Sequence, residues 1–187
     1  MPTRINVIEY VTIANTGNVT DFGNLVAARA EVSGCSSSVR GIIAGGNESG
    51  GASKNTIEYV TIATTGNAAD FGDLTQGRDQ TAAASSSTRG IIAGGGATRR
   101  NTIDYVTMAS TGNATDFGDL ATVKDGHAGT SSATRAVFGG GHNGSTSGIN
   151  VIEYITIASV GNAADFGDLT AVRFLPAATS NGHGGLG

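Results

Sequence analysis

The residues of this chain that could do chemistry come in sets rather than as single constellations. Asp70 and Asp73 recur as Asp116 with Asp119, as Asp165 with Asp168, and as Asp21 with Asn24 in place of the second member. Carboxylates three residues apart suggest a calcium site or a catalytic acid and base. Calcium, however, takes about six to eight oxygens, and catalysis needs one differentiated constellation. A pair repeated four times reads instead as turn hydrogen bonding and as pairing with repeated arginines. A second acidic set, Glu9, Glu58, Asp104 and Glu153, lies inside strand-like runs. A carboxylate buried there requires a partner, and the same arginines are the candidates.

The remaining reactive side chains are few. His127, His142 and His183 each sit in a glycine-rich setting, and none stands at metal-ligand spacing from another. Surface or turn roles are expected for them. Cys35 is the single cysteine, which excludes a disulfide within the chain and a multi-cysteine metal site. Its counterparts are Ala84, Thr130 and Thr179, so it reads as a small packing position. Gly94-Gly95-Gly96 lacks the Lys-Ser/Thr and the helix of a phosphate loop and reads as a strand end. No residue is assigned a catalytic, cofactor-binding or metal-binding role, no cofactor is expected, and the chain does not read as an enzyme.

What positions these sets is an internal repeat. Ile8-Glu9-Tyr10-Val11-Thr12-Ile13 returns at Ile57 to Ile62, Ile103 to Met108 and Ile152 to Ile157. The four tyrosines are 49, 46 and 49 residues apart, and a phenylalanine follows each by twelve residues: Phe22, Phe71, Phe117 and Phe166. Arg29, Arg78, Lys124 and Arg173 come seven residues later, and Arg40, Arg89 and Arg135 eleven beyond those. Each of the latter opens an apolar run ending in Gly45-Gly46, Gly94-Gly95 or Gly140-Gly141. The units span about 3–46, 47–95, 96–141 and 142–187 of a single repeat domain. A fixed period of tens of residues implies a repeat architecture. Length varies only in 47–55, 96–101 and 142–150, whose Gly, Ser, Asn and Thr predict exposed loops.

One unit holds four short runs: Thr81 to Ser86, Arg89 to Ala93, Asn101 to Ala109 and Asp116 to Ala121. With turn signals between them, they predict a four-stranded antiparallel sheet. The Thr-Gly-Asn triplets at 16–18, 65–67 and 111–113, with Val160-Gly161-Asn162, supply the positive φ of a hairpin turn. In 55–63, Ile57, Tyr59 and Thr61 face one way and Glu58, Val60 and Ile62 the other. Both faces are largely apolar, so each sheet must be stacked between neighbours. Tyr59, Tyr105, Phe71 and Phe117 are the expected anchors between sheets.

Composition bounds the partners. The 187 residues are 39% hydrophobic and 14% charged with 30 glycines, which fits a folded, turn-rich chain. A net charge of −4 without a basic or aromatic cluster argues against nucleic acid. No run approaches the roughly 20 apolar residues of a membrane span. Met1-Pro2-Thr3-Arg4 leads directly into a repeat strand rather than a signal peptide, so a soluble protein made in a cytoplasm is expected.

The order of Arg, apolar strand, glycine pair, variable loop, Tyr and later aromatic resembles the kelch repeat, with Phe where kelch usually has Trp. Repeats of about 50 residues match kelch. More narrowly, Gly66 to Leu74 and the ending Ser180 to Leu186 resemble kelch-like repeat proteins encoded by tailed phages of marine bacteria, including cyanophages. The resemblance implies an all-β propeller and a virion protein on a capsid, tail or fibre, a rigid module contacting other virion proteins or itself. Receptor or glycan binding through the variable loops is the alternative. A kelch-type copper oxidase needs a Tyr-Cys-His constellation, which one cysteine at a Cys/Ala/Thr position does not supply.

Four blades are expected, with third and fourth strands from Ile5 onward and a first strand from Phe174 to Ser180 sharing one sheet. The alternative is a partial propeller completed by oligomerisation, with two chains in one ring or open edges paired in a larger assembly.

Overall fold

Residues 4–144 and 148–180 are described by the structure, a computed structural model. They form fourteen strands and, among the described residues, no helix. β1 (Val7–Tyr10) and β2 (Thr20–Asn24) make a two-stranded first sheet. The second sheet contains β3 (Ser33–Ser36), β4 (Arg40–Ala44), β5 (Thr56–Thr61) and β6 (Ala69–Asp73). The third contains β7 (Ala82–Ser85), β8 (Arg89–Ala93), β9 (Arg100–Thr107) and β10 (Thr115–Lys124). The fourth contains β11 (Ala128–Ser131), β12 (Arg135–Gly139), β13 (Ile149–Thr156) and β14 (Ala164–Arg173). Each larger sheet is an antiparallel meander in chain order, taking its first two strands from the end of one sequence unit and its last two from the next.

The Asp-Phe-Gly step explains why a phenylalanine recurs twelve residues after each tyrosine. Ile57 pairs with Gly72 and Glu58 with Asp70, which leaves Phe71 outside the ladder. The same slip occurs at Phe22, Phe117 and Phe166. A bulge of this kind bends a strand and re-aims a side chain. Here it sets Phe71 edge-on to Tyr59 at 5.9 Å, and the other three Tyr–Phe pairs repeat that separation. Arg40, Arg89 and Arg135 lie over the same tyrosine rings at 4.6 to 4.8 Å, a cation–π contact.

Successive sheets stack face to face, and the core lies between them. Ile42, Ala44, Ile57, Phe71 and Leu74 of the second sheet pack on Ile92, Val106 and Met108 of the third. Ile91, Ile103, Phe117 and Leu120 of the third pack on Ala136, Phe138, Ile155 and Ile157 of the fourth. The first strands run side by side and are joined by serines: Ser85 Oγ donates to Ser36 O, Ser131 Oγ to Ser85 O and Ser180 Oγ to Ser131 O, each at 2.8 Å.

The ends depart from the expectation of one shared sheet. Among the described residues β1 and β2 pair only with each other, and residues 174–180 form no strand. Ser180 continues the serine ladder, so the tail occupies the place of a further first strand beside the fourth sheet. Phe117, 2% exposed, and Phe138 are the largest apolar groups of the core between the third and fourth sheets. Phe117→Ala should destabilise the chain by about 3–5 kcal/mol in urea unfolding, and an unchanged midpoint would contradict this packing.

Candidate binding surface at the linker end

After each fourth strand the chain crosses to the next sheet, and the polar groups of the repeat converge on this crossing. Gly46 N–H donates to Arg78 O, Gly95 N–H to Lys124 O and Gly141 N–H to Arg173 O, at 2.8 to 2.9 Å. The glycine pairs adopt φ of 61 to 101°, which disfavours other residues. A Cβ on Gly45 would strike the Arg78 carbonyl.

Arg29, Arg78 and Lys124 each reach from the linker into the next sheet. Arg29 pairs with Glu58 at 2.7 Å, Arg78 with Asp104 at 2.6 Å and Lys124 with Glu153 at 2.6 Å, all essentially without solvent contact. Arg78 Nη1 also donates to Gly94 O and Thr102 O at 2.9 and 2.7 Å. Burial lowers the Arg78 pKa and Asp104 pulls it back up. The carboxylates accept backbone N–H groups from the linker side: Val26, Thr75 and Ala121 donate to Glu58, Asp104 and Glu153. Glu58, Asp104 and Glu153 are therefore partnered by linker cations, and Arg40, Arg89 and Arg135 lie on the tyrosines.

The expected pairing of Asp70, Asp73 and their equivalents with arginines is not found: no ion pair among the described residues involves them. Their positions act through the backbone instead. Asp73 N–H donates to Asn113 Oδ1 at 3.0 Å and Asp73 O accepts from Ala114 N–H at 2.8 Å. Asn24 and Asp119 make the same contacts with the next hairpin turn. Gly72 and Gly118 lie beneath that turn, where a Cβ would come within 2.5 Å of the Gly112 or Gly161 carbonyl.

The variable loops form a rim above the linkers. Arg99 Nε donates to His142 Nδ1 at 2.9 Å and lies 3.1 Å from Asp125 Oδ2. Burial raises the Asp125 pKa, and Arg99 and then His142 oppose the rise. His142 also packs on Phe174 at 5.5 Å. These residues, with Gln80, Ala97 and Gly148, line a cleft of about 690 Å³. The grouping contains no nucleophile, and its Arg99–His142 contact has a counterpart: Arg4 Nη2 donates to Asn47 Oδ1 at 2.7 Å, with Ala30 in the place of Asp125. It is one copy of a rim contact between neighbouring sheets.

Four equivalent linker residues, Glu31, Gln80, Gly126 and Leu175, have left-handed φ of 51 to 59°. Gln80 N–H donates to Glu31 O, Gly126 N–H to Gln80 O and Leu175 N–H to Gly126 O, each at 3.0 Å. They border a cavity of about 230 Å³ with Val32, Thr81, His127 and Pro176. Sequence reasoning missed these residues and Arg99 with Asp125. Only Gly126 carries a residue-type signal for positive φ, and Arg99 lies in a loop that varies.

The other candidates are placed as follows. His127, expected at a surface or turn, is buried edge-on to Phe138 at 6.0 Å. Burial, Lys124 and Arg78 push its pKa down to about 3. Cys35 packs against the second core cluster, and burial pushes its thiol up to about 12, so it stays a thiol. Gly94 to Gly96 end β8, and His183 lies outside the described residues. Among the described residues no three acidic, histidine or cysteine side chains converge as a metal site, and no helix is long and apolar enough to cross a membrane. No protein-family model matches the chain, and no curated protein matches it significantly.

Because the fold holds His127 neutral down to about pH 3 while the unfolded chain protonates it near 6.5, the unfolded state binds more protons between those values. Stability should fall as pH drops through that window, by up to a few kcal/mol at about 1.4 kcal/mol per unit. His127→Val, which installs the residue of the equivalent position 32, should make the urea midpoint less sensitive to acid from pH 6.5 to 3. Equal acid sensitivity would contradict the buried neutral imidazole.

Proposed function

We propose that the chain is a kelch-like propeller module of a tailed phage particle, a structural or decoration protein that presents a rigid surface to other virion proteins. The observation that carries the reading is the use made of the polar side chains. In successive sheets the linker cation and the strand carboxylate pair across the interface, and Arg40 and Arg89 donate to a carbonyl of the following sheet, so these groups are committed to holding one sheet on the next. An architecture whose charged groups are committed in this way favours rigidity and protein contact over turnover. The phrase from Gly66 to Leu74, with its resemblance to phage-encoded repeats, supports the particle setting.

A second reading, glycan or receptor binding, is favoured by the rim cleft. There Phe174 offers a ring face and Arg99, Asp125 and His142 offer polar groups, the mixture that binding clefts use. Proteomics of purified particles decides between them. The structural reading expects the protein at a fixed ratio to the major capsid protein after gradient purification. Its absence from particles, together with binding on a glycan array, would overturn that reading in favour of the second.

A further inference from the structure

The three interfaces between successive sheets are built from equivalent atoms. In each, the turn glycine N–H donates to the preceding phenylalanine carbonyl at 2.7 Å (Gly66 to Phe22, Gly112 to Phe71, Gly161 to Phe117). In each, a linker cation and a strand carboxylate form a buried pair. Arg40 and Arg89 add donation to Met108 O and Ile157 O, at 3.0 and 2.8 Å.

Both halves of a fourth such interface are present in the chain, apart from each other. On the fourth sheet, Arg173 has its carbonyl held by Gly141 like Arg78 and Lys124 by their glycines, but among the described residues its guanidinium donates only to the neighbouring Val172 O. Phe166 is 54% exposed where Phe71 and Phe117 are 2%, and Gly167 faces open space where Gly118 meets a turn. On the first sheet, Glu9 is exposed and forms no ion pair among the described residues. Ile13 is 96% exposed, whereas Met108 and Ile157, its equivalents where the preceding sheet has all four strands, are 3% and 2%, and Ile62, which follows the two-stranded first sheet, is 45%.

We infer that the first sheet of one copy of this chain docks on the fourth sheet of a second copy, head to tail, by repeating the internal interface. Arg173 of one copy pairs with Glu9 of the other, Gly17 N–H donates to Phe166 O, Asp168 N–H donates to Asn18 Oδ1, and Ile13 is covered. The charges match, and within the single chain both faces are left uncovered. The contact is heterologous, so repetition builds rings or filaments according to whether the rotation closes. It is independent of where the protein works.

The test is light scattering of the full 187-residue chain and of two variants whose altered residues are exposed in the single chain, Ile13→Asp and Phe166→Asp, each checked for an unchanged circular dichroism spectrum. The wild type should form species of two or more chains that dissociate on dilution. Each variant alone should lose every species larger than one chain. Their equimolar mixture should give a dimer and nothing larger, because only one intact head and one intact tail remain between them. A wild type that keeps the mass of one chain, variants that still assemble, or a mixture without the dimer would overturn the inference.

Discussion

Each sheet is held to the next by a cation on the chain crossing that is taken out of water and set against a carboxylate of the following strand. The desolvation cost of such a pair is several kcal/mol per ion, and only close geometry with further hydrogen bonds offsets it. Both conditions are met at Arg78, which has Asp104 at 2.6 Å and two carbonyls as acceptors. Asp104 in turn accepts from the Thr75 N–H and hydroxyl. Apolar packing supplies the attraction between sheets but is non-directional. The ion pair fixes which strand meets which linker, so register and rotation from one sheet to the next depend on it.

The glycines follow from that constraint. For the linker carbonyl to be gripped, the preceding strand must end on two residues with positive φ and no side chain, hence the paired glycines. For the next hairpin turn to lie on the outer strand, the residue after the bulged phenylalanine must also lack a Cβ. The bulge itself turns the phenylalanine into the interface at the point where the turn arrives. The recurrence of Asp-Phe-Gly, Thr-Gly-Asn and Gly-Gly thus records the three backbone contacts that a single interface requires, repeated from sheet to sheet.

Much of this was legible in the sequence because the repeat averages out local accident. The four runs of the specimen unit correspond to β7 to β10, and the hairpin turns and the aromatic anchors fall where their spacing placed them. Other features were hidden for physical reasons. Two cations per unit were eligible for the strand carboxylate, and only the geometry shows that Arg78 takes it while Arg89 lies on Tyr105. Asp73 was read through its side chain, yet its backbone makes the contact. β10 runs to Lys124, past the predicted Ala121, because the linker cation rejoins the sheet opposite Arg100. Whether the ends meet depends on the rotation per sheet, a property that no residue pattern encodes.

A double-mutant cycle between Arg78 and Asp104, read by urea unfolding, tests the central role of the linker ion pair most directly. With Arg78→Met, Asp104→Asn and the double variant, each single change should cost about 3–5 kcal/mol by stranding a buried partner. The double variant should cost clearly less than the sum, with a coupling of about 1–3 kcal/mol. Effects that add to within about 0.5 kcal/mol would mean that the sheets are held by apolar packing alone and that the buried pair does not set their arrangement.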